Sequence, residues 1–233
     1  MAIFYQPNIR QGEHFLDSEE SRHCARVLRK RPGDTIQIVD GLGTLFTAVI
    51  RDANPKKCTF DITDEHPQPR LDYSIHLLIA PTKNSDRMEW MVEKLTEIGI
   101  DAIQFVQCTH SERTVLKLER LQRKAISAMK QSERAFLPKL LPMVPLTSWK
   151  PMTTDNAQKY IAHLGEEPPA DLFTASQAQG EYYVLVGPEG DFSQQEIDWA
   201  MDQGFQPVRL GHFRLRTETA GLSACHTLHL VNV

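Results

Sequence analysis

Apolar side chains recur at two different spacings along the chain, and the change between them divides it. From Asp34 to Thr63 the spacing is two. TIQIVD, TLFTAVI and CTFDIT alternate apolar and polar residues, with a turn at Asp40-Gly41-Leu42-Gly43 and a break at Asn54-Pro55. Alternation with β-branched residues predicts half-buried strands, and short strands on tight turns predict a small β-barrel or sandwich. DEHPQPRLD at 64–72 is polar and interrupted by Pro67 and Pro69, which are excluded from helix interiors and central strands. A boundary is placed there, giving expected domains at 1–68 and 72–233.

After Tyr73 strands alternate with helices. YSIHLLIA predicts a strand, and NSDRMEWMVEKLTEIG a helix with Met88, Met91, Val92, Leu95 and Ile98 on one face, Asp86 as its cap and Gly99 as its stop. DAIQFVQC is a second strand. KLERLQRKAISAMKQS is a second helix, with Leu118, Leu121, Ala125 and Met129 inward. KYIAHL, YYVLVG and PVRLG predict three more strands, and SQQEIDWAMDQG a helix opened by a Ser193–Glu196 capping box. The order implies an α/β domain with a mainly parallel sheet. LPKLLPMVPL at 137–146, with three prolines, reads as a surface loop.

Composition narrows the class. The chain has 233 residues, 41% of them hydrophobic, enough for folded cores. No apolar run approaches the roughly 20 residues that span a bilayer, and the first residues lack a basic stretch followed by an apolar core, so a cytoplasmic location is expected. The four cysteines are far apart and are expected to be free thiols that fill space. A net charge of −4 argues against wholesale polyanion binding. Arg22, Arg26, Arg29, Lys30 and Arg31, however, lie within ten residues. That run is either a solvated helix face or a patch for RNA phosphates.

Ligands of parallel α/β sheets bind at the carboxyl ends of strands. Two predicted strands end in glycine-bearing loops, LVGPEGDFSQQE and LGHFRLRTETAG, and IAHLGEEPP is a candidate third wall. A small-molecule pocket is expected among them. His212, Arg214 and Arg216 alternate after Gly211, which on an extended segment places three cations on one face. No phosphate-binding P-loop occurs, and GLGTLF has too few glycines for a dinucleotide fingerprint. No metal site is expected: His226 and His229 lack a supporting carboxylate or cysteine. Ser111 in HSER has no nucleophile elbow around it.

GPEG at 187–190 followed by LGHFRLRTETA at 210–220, with MEWMVEKLTEIGI and THSER, closely resembles the ribosomal RNA small subunit methyltransferase E family of the SPOUT methyltransferases. The likeness runs over nearly the whole chain. It implies a PUA-like β-barrel that helps hold RNA, then a SPOUT-type α/β domain whose end is threaded into a trefoil knot. It also implies a homodimer, S-adenosylmethionine as methyl donor, and methylation at N3 of one uridine in 16S rRNA of the small ribosomal subunit. The same cofactor loops would also suit an enzyme acting on another RNA position, or a non-catalytic RNA-binding assembly factor.

By that resemblance Gly187, Pro188, Glu189 and Gly190 form the second cofactor loop, Leu210, Gly211, Leu215, Thr219 and Ala220 the third, and Ala162, His163 and Leu164 the first. Arg216 is expected to stabilise charge on the target base, Glu218 to act as base or to orient an arginine, and Arg214 to extend a positive rim toward RNA. Two positions depart from the family pattern. Asp191 stands where another glycine is usual, and Arg214 where an aliphatic residue is usual. Aspartate tolerates unusual backbone angles better than most residues, so the loop is expected to keep its shape.

Overall fold

The computed structural model describes residues 2–150, 156–163 and 169–233. The chain forms two compact units. One gathers Met1–Arg70 with Ile126–Leu137, the other Leu71–Ala125 with Pro138–Val233.

The first unit contains strands β1 (Ile3–Tyr5), β2 (Thr35–Val39), β3 (Thr44–Asp52) and β4 (Thr59–Pro67), hydrogen-bonded in that order, with β1 parallel to β2 and the rest antiparallel. Alternation works as expected in β3, where Phe46, Ala48 and Ile50 enter a core with Phe4, Ile36 and Phe60. A second cluster, Ile3, Val39, Met129 and Ala135, explains why residues 126–137 belong to this unit. Strand β4 runs into the polar 64–67 stretch that was expected to be a break. It is an edge strand, where a proline can be accommodated.

The basic run begins on helix α1 (Ser18–Arg22), capped by Asp17, and continues through a π-helical turn, His23–Val27. The helical path ends at Leu28, and Arg29 takes a left-handed conformation at φ 53°. Cys24 faces the core there, while Arg22, Arg26, Arg29 and Arg31 are exposed. All four cysteines are free and buried.

In the second unit the described strands form a parallel sheet in the order β7-β6-β5-β10-β8-β11-β9. They are β5 (Ser74–Ile79), β6 (Ala102–Gln107), β7 (Lys139–Pro145), β8 (Gln158–Ala162), β9 (Ala170–Asp171), β10 (Glu181–Val186) and β11 (Gln206–Arg209). Strand β10 lies between β5 and β8 and is buried from Tyr182 to Val186, the continuous apolar run of a strand covered on both faces. Helix α2 (Ser85–Ile98) buries Met88, Met91, Val92 and Leu95, as its spacing predicts, and stops at Gly99. Its cap is Asn84, whose side chain accepts from Asp86 N, rather than Asp86 itself. Helix α3 (Leu118–Gln131) follows β6. The proline-rich 137–146 stretch is not a loop: most of it is β7, at the sheet edge, where missing N–H groups cost least.

After β9 come a short helix α4 (Leu172–Ala175) and then β10. Helix α5 (Gln194–Asp202) opens with the predicted Ser193–Glu196 capping box, and α6 (Thr217–Val231) closes the chain. Strand β11 lies beyond β8, yet α6 packs against α2, β5 and β10, so the segment between them crosses the carboxyl ends of the central strands.

Candidate functional site

The crossing segment builds a cavity of about 550 Å³. Its floor comes from the ends of three neighbouring strands: Ala162 and His163 at the end of β8, Val186 and Gly187 at the end of β10, and Val208 to Gly211 at the end of β11. The volume lies within the roughly 300–1,000 Å³ of small-molecule sites, and the lining mixes apolar residues with charged ones, which suits a ligand with both apolar and polar parts.

Two hydrogen bonds join the glycine-bearing bends. Thr217, buried in the first turn of α6, donates its hydroxyl to the Gly187 carbonyl at 3.2 Å, and Arg214 Nη2 donates to the Glu189 carbonyl at 3.1 Å. The second bend is turned by Gly211 at φ 140°, beyond the ordinary reach of a side-chain-bearing residue. At Gly190 the constraint is space, since a Cβ there would stand 2.9 Å from Cβ of His110.

Asp191 is left-handed at φ 63°, and its side chain accepts from Phe192 N at 2.8 Å. The same carboxylate lies 3.5 Å from Nδ1 of His163, while its carbonyl is 3.1 Å from Nδ1 of His110. One aspartate thereby contacts the ends of β8 and β6 as well as its own loop. The THSER segment also meets the first turn of α5, through Thr109 N, which donates to Glu196 Oε1 at 2.6 Å. Arg113, from the same segment, donates to the carbonyls of Thr82 and Lys83 after β5.

Ala162, His163, Gly187, Pro188, Glu189, Leu210, Gly211, Leu215 and Ala220 all line the cavity, as do Arg214 and Arg216. Leu164 lies outside the described residues. Gly190 and Thr219 do not line it: Gly190 sits against His110, and Thr219 is on the first turns of α6. Glu218 does not line it either. It is 6% exposed, with Oε1 3.6 Å from Nε of Arg87 on α2 and Oε2 buried without a hydrogen bond. The arginine it approaches is therefore Arg87, not Arg216.

The predicted alternation of His212, Arg214 and Arg216 fails for a definite reason. Residues 210–213 bend instead of extending, so Phe213, Arg214, Leu215 and Arg216 all line the cavity in succession and His212 does not. Arg216 is the N-cap residue of α6 and is exposed; among the described residues it pairs with no carboxylate. Arg209, another lining residue, makes a two-pronged contact to Asp171, Nε to Oδ1 at 2.9 Å and Nη2 to Oδ2 at 2.7 Å. That guanidinium holds the Asp171 carboxyl below its ordinary range.

Sequence reasoning missed Val186, Val208, Arg209, Asp191, Phe213 and Thr217 as lining residues. Val186 and Arg209 were within reach of the strand-end rule, since each ends a strand feeding a glycine-bearing bend. His229 of the rejected metal pair is used otherwise, with Nδ1 2.5 Å from the Tyr73 hydroxyl. In the first unit, none of Arg22, Arg26, Arg29, Lys30 and Arg31 forms an ion pair with a described carboxylate; Lys30 donates to the Thr35 carbonyl at 3.3 Å.

Residues 69–229 match an RNA methyltransferase domain model, and residues 16–63 an RNA methyltransferase PUA domain model. A ribosomal RNA small subunit methyltransferase E from Mycobacterium bovis is 31% identical over 90% of this chain and 83% of its own. The chain belongs to the ribosomal RNA small subunit methyltransferase E family. Solved structures of that kind superpose over its full length. A probable rRNA-methyltransferase from Porphyromonas gingivalis does so with a TM-score of 0.93 at 42% identity, covering 100% of this chain and 98% of that one. A ribosomal RNA small subunit methyltransferase E from Neisseria gonorrhoeae, bound to S-adenosyl methionine, gives 0.84 at 30% identity over the same shares. The methyltransferase E family thus combines a PUA-type β unit with a parallel α/β unit, the two architectures seen here.

Proposed function

We propose that the protein transfers a methyl group from S-adenosylmethionine to N3 of a uridine in 16S rRNA of the small ribosomal subunit, acting in the cytoplasm as a homodimer. The observation that carries this reading is the joining of the two glycine-bearing bends over one cavity, with Arg216, which pairs with no described carboxylate, on its wall. A relative with 30% identity over the full length holds S-adenosyl methionine, and the cavity here has the size and the mixed apolar and charged lining for such a ligand.

The cofactor supplies an electrophilic methyl group. Ala162, His163, Gly187, Pro188, Glu189, Leu210, Gly211, Leu215 and Ala220 would hold it, and the chain's remaining task is to prepare the acceptor. N3 of uracil is a weakly acidic imide, and its conjugate base spreads negative charge onto O2 and O4. A guanidinium stays protonated and presents a planar fork of donors, which suits Arg216 to stabilising that charge. Glu218, buried against Arg87, serves to hold α2 to the first turn of α6. That leaves the N3 proton to pass to water at the cavity mouth. Arg214, Arg22, Arg26, Arg29, Lys30 and Arg31 contact RNA phosphates in this reading, and residues 1–68 and 72–233 act as the RNA-holding and methyl-transferring parts.

Methyl transfer to small subunits from cells lacking the protein, followed by mass mapping of the rRNA, tests the proposal. Arg216→Ala is expected to lower kcat by about a hundredfold or more, the scale of removing one preorganised donor, while S-adenosylhomocysteine still binds. Normal turnover in that variant would reject the role of Arg216. A modified nucleotide other than N3 of uridine would reject the substrate.

A further inference from the structure

A large aromatic side chain stands exposed at the cavity. Phe213 is 86% exposed, whereas most phenylalanines of this chain are buried, among them Phe4, Phe46, Phe60, Phe105, Phe192 and Phe205. It lies in the bend that follows Gly211, and it lines the same cavity as its neighbours Arg214 and Arg216, both exposed cations. Arg214 is tethered by its bond to the Glu189 carbonyl, so one of the two charges on this wall is held in place. An exposed ring on the same cavity wall as two guanidinium groups has the composition of a single-strand nucleic-acid contact: a flat apolar face for a base, and cations for the phosphates.

We propose that Phe213 is the stacking platform for an unpaired nucleobase of the RNA, the target uracil or its immediate neighbour, as that base is brought to the cavity. The inference rests on the methyl-transfer reading above and adds a substrate contact to it. Base chemistry supports this occupant. A nucleotide that reacts at its pairing edge must leave its stack, and an aromatic face at the site replaces part of the stacking it gives up. A purely apolar partner would not match the cations of Arg214 and Arg216, which line the same cavity.

The test uses the full-length protein and three readouts on Phe213→Ala, Phe213→Leu and Phe213→Tyr. First, KM for small subunits is expected to rise about tenfold in the alanine variant, the scale of losing one base stack. Tyrosine should restore it and leucine should not. Second, S-adenosylhomocysteine affinity and sedimentation behaviour should stay at wild-type values. Third, binding of a short uridine-containing single-stranded RNA, followed by fluorescence anisotropy, should weaken in Phe213→Ala with its salt dependence unchanged. Arg214→Ala should instead reduce the salt slope, because stacking releases no counterions.

Lost S-adenosylhomocysteine affinity would show that the ring covers the cofactor. A change in oligomeric state would assign it to a subunit interface. An unaltered KM and anisotropy would remove it from recognition altogether. Each of these overturns the proposal while wild-type methyl transfer still stands. Absent methyl transfer by the wild-type protein would instead defeat the activity, and the anisotropy series would still decide the stacking.

Discussion

The carboxylate of Asp191 stands 3.5 Å from Nδ1 of His163, joining the loop after β10 to the end of β8 across the cavity floor. The residue that makes this contact holds a backbone conformation, φ 63°, in which a side chain is normally a cost. Aspartate is one of the few residues that accept it, and here it gains Phe192 N as a further partner.

Glycine and valine at position 191 are therefore expected to act in opposite ways. Asp191→Gly relieves the backbone and leaves stability within about 1 kcal/mol of wild type, whereas Asp191→Val, β-branched, costs about 1–3 kcal/mol. Both remove the contact to His163, so both weaken S-adenosylhomocysteine binding. Chemical denaturation and calorimetry on the two variants separate the backbone effect from the contact. Wild-type affinity in Asp191→Gly would show that the pair with His163 does nothing for the site.

The basic run in the first unit leads to a measurement in salt. Arg22, Arg26, Arg29 and Arg31, on a helix end and the turn after it, are exposed and form no ion pair with a described carboxylate. If they meet phosphates, Arg26→Glu and Arg29→Glu should each flatten the log–log salt dependence of RNA affinity by about 0.7–0.9. Unchanged affinity and slope in both variants would return the run to a solvated surface.

Acid sensitivity should trace in part to His76. This residue of β5 stacks on Tyr183 with ring centroids 4.5 Å apart and planes 6° from parallel, and burial holds its imidazole below the ordinary pKa. Asp101 and Glu181 oppose that shift, and Lys139 adds to it. A histidine of about 6.5 in the unfolded chain then takes up a proton that the folded chain resists. Stability from this source is complete above the unfolded value and declines as pH falls below it. Urea midpoints between pH 7.5 and 5.5 should drop more for wild type than for His76→Gln, and equal drops would clear His76 of the effect.

Helices and buried strands were legible in the sequence because their signals are local. Met88, Met91, Val92 and Leu95 state the buried face of α2, and Ser193 with Glu196 states the start of α5. Strand β7 was hidden because its prolines argue against a strand unless the sheet edge is known, and edges are set by the order of all the strands. The glycine-bearing bends marked the cavity correctly, but the alternation in HFRLR misled. A period of two gives one face only while the chain is extended, and after Gly211 it is not. Glu218 drew notice as an acid beside an arginine. Its pairing with Arg87, 131 positions earlier, depends on α6 lying against α2, which no nearby residue announces.

The tight fit of Gly190 against His110 has a bearing on how such a protein can change. With no room for even a methyl group between the turns after β6 and β10, neither can be lengthened or recast unless the other is altered in step. The Phe213 side chain is under no such restraint, its ring being open to solvent. Novelty in what is recognised can accumulate at that rim while the parts beneath it stay as they are.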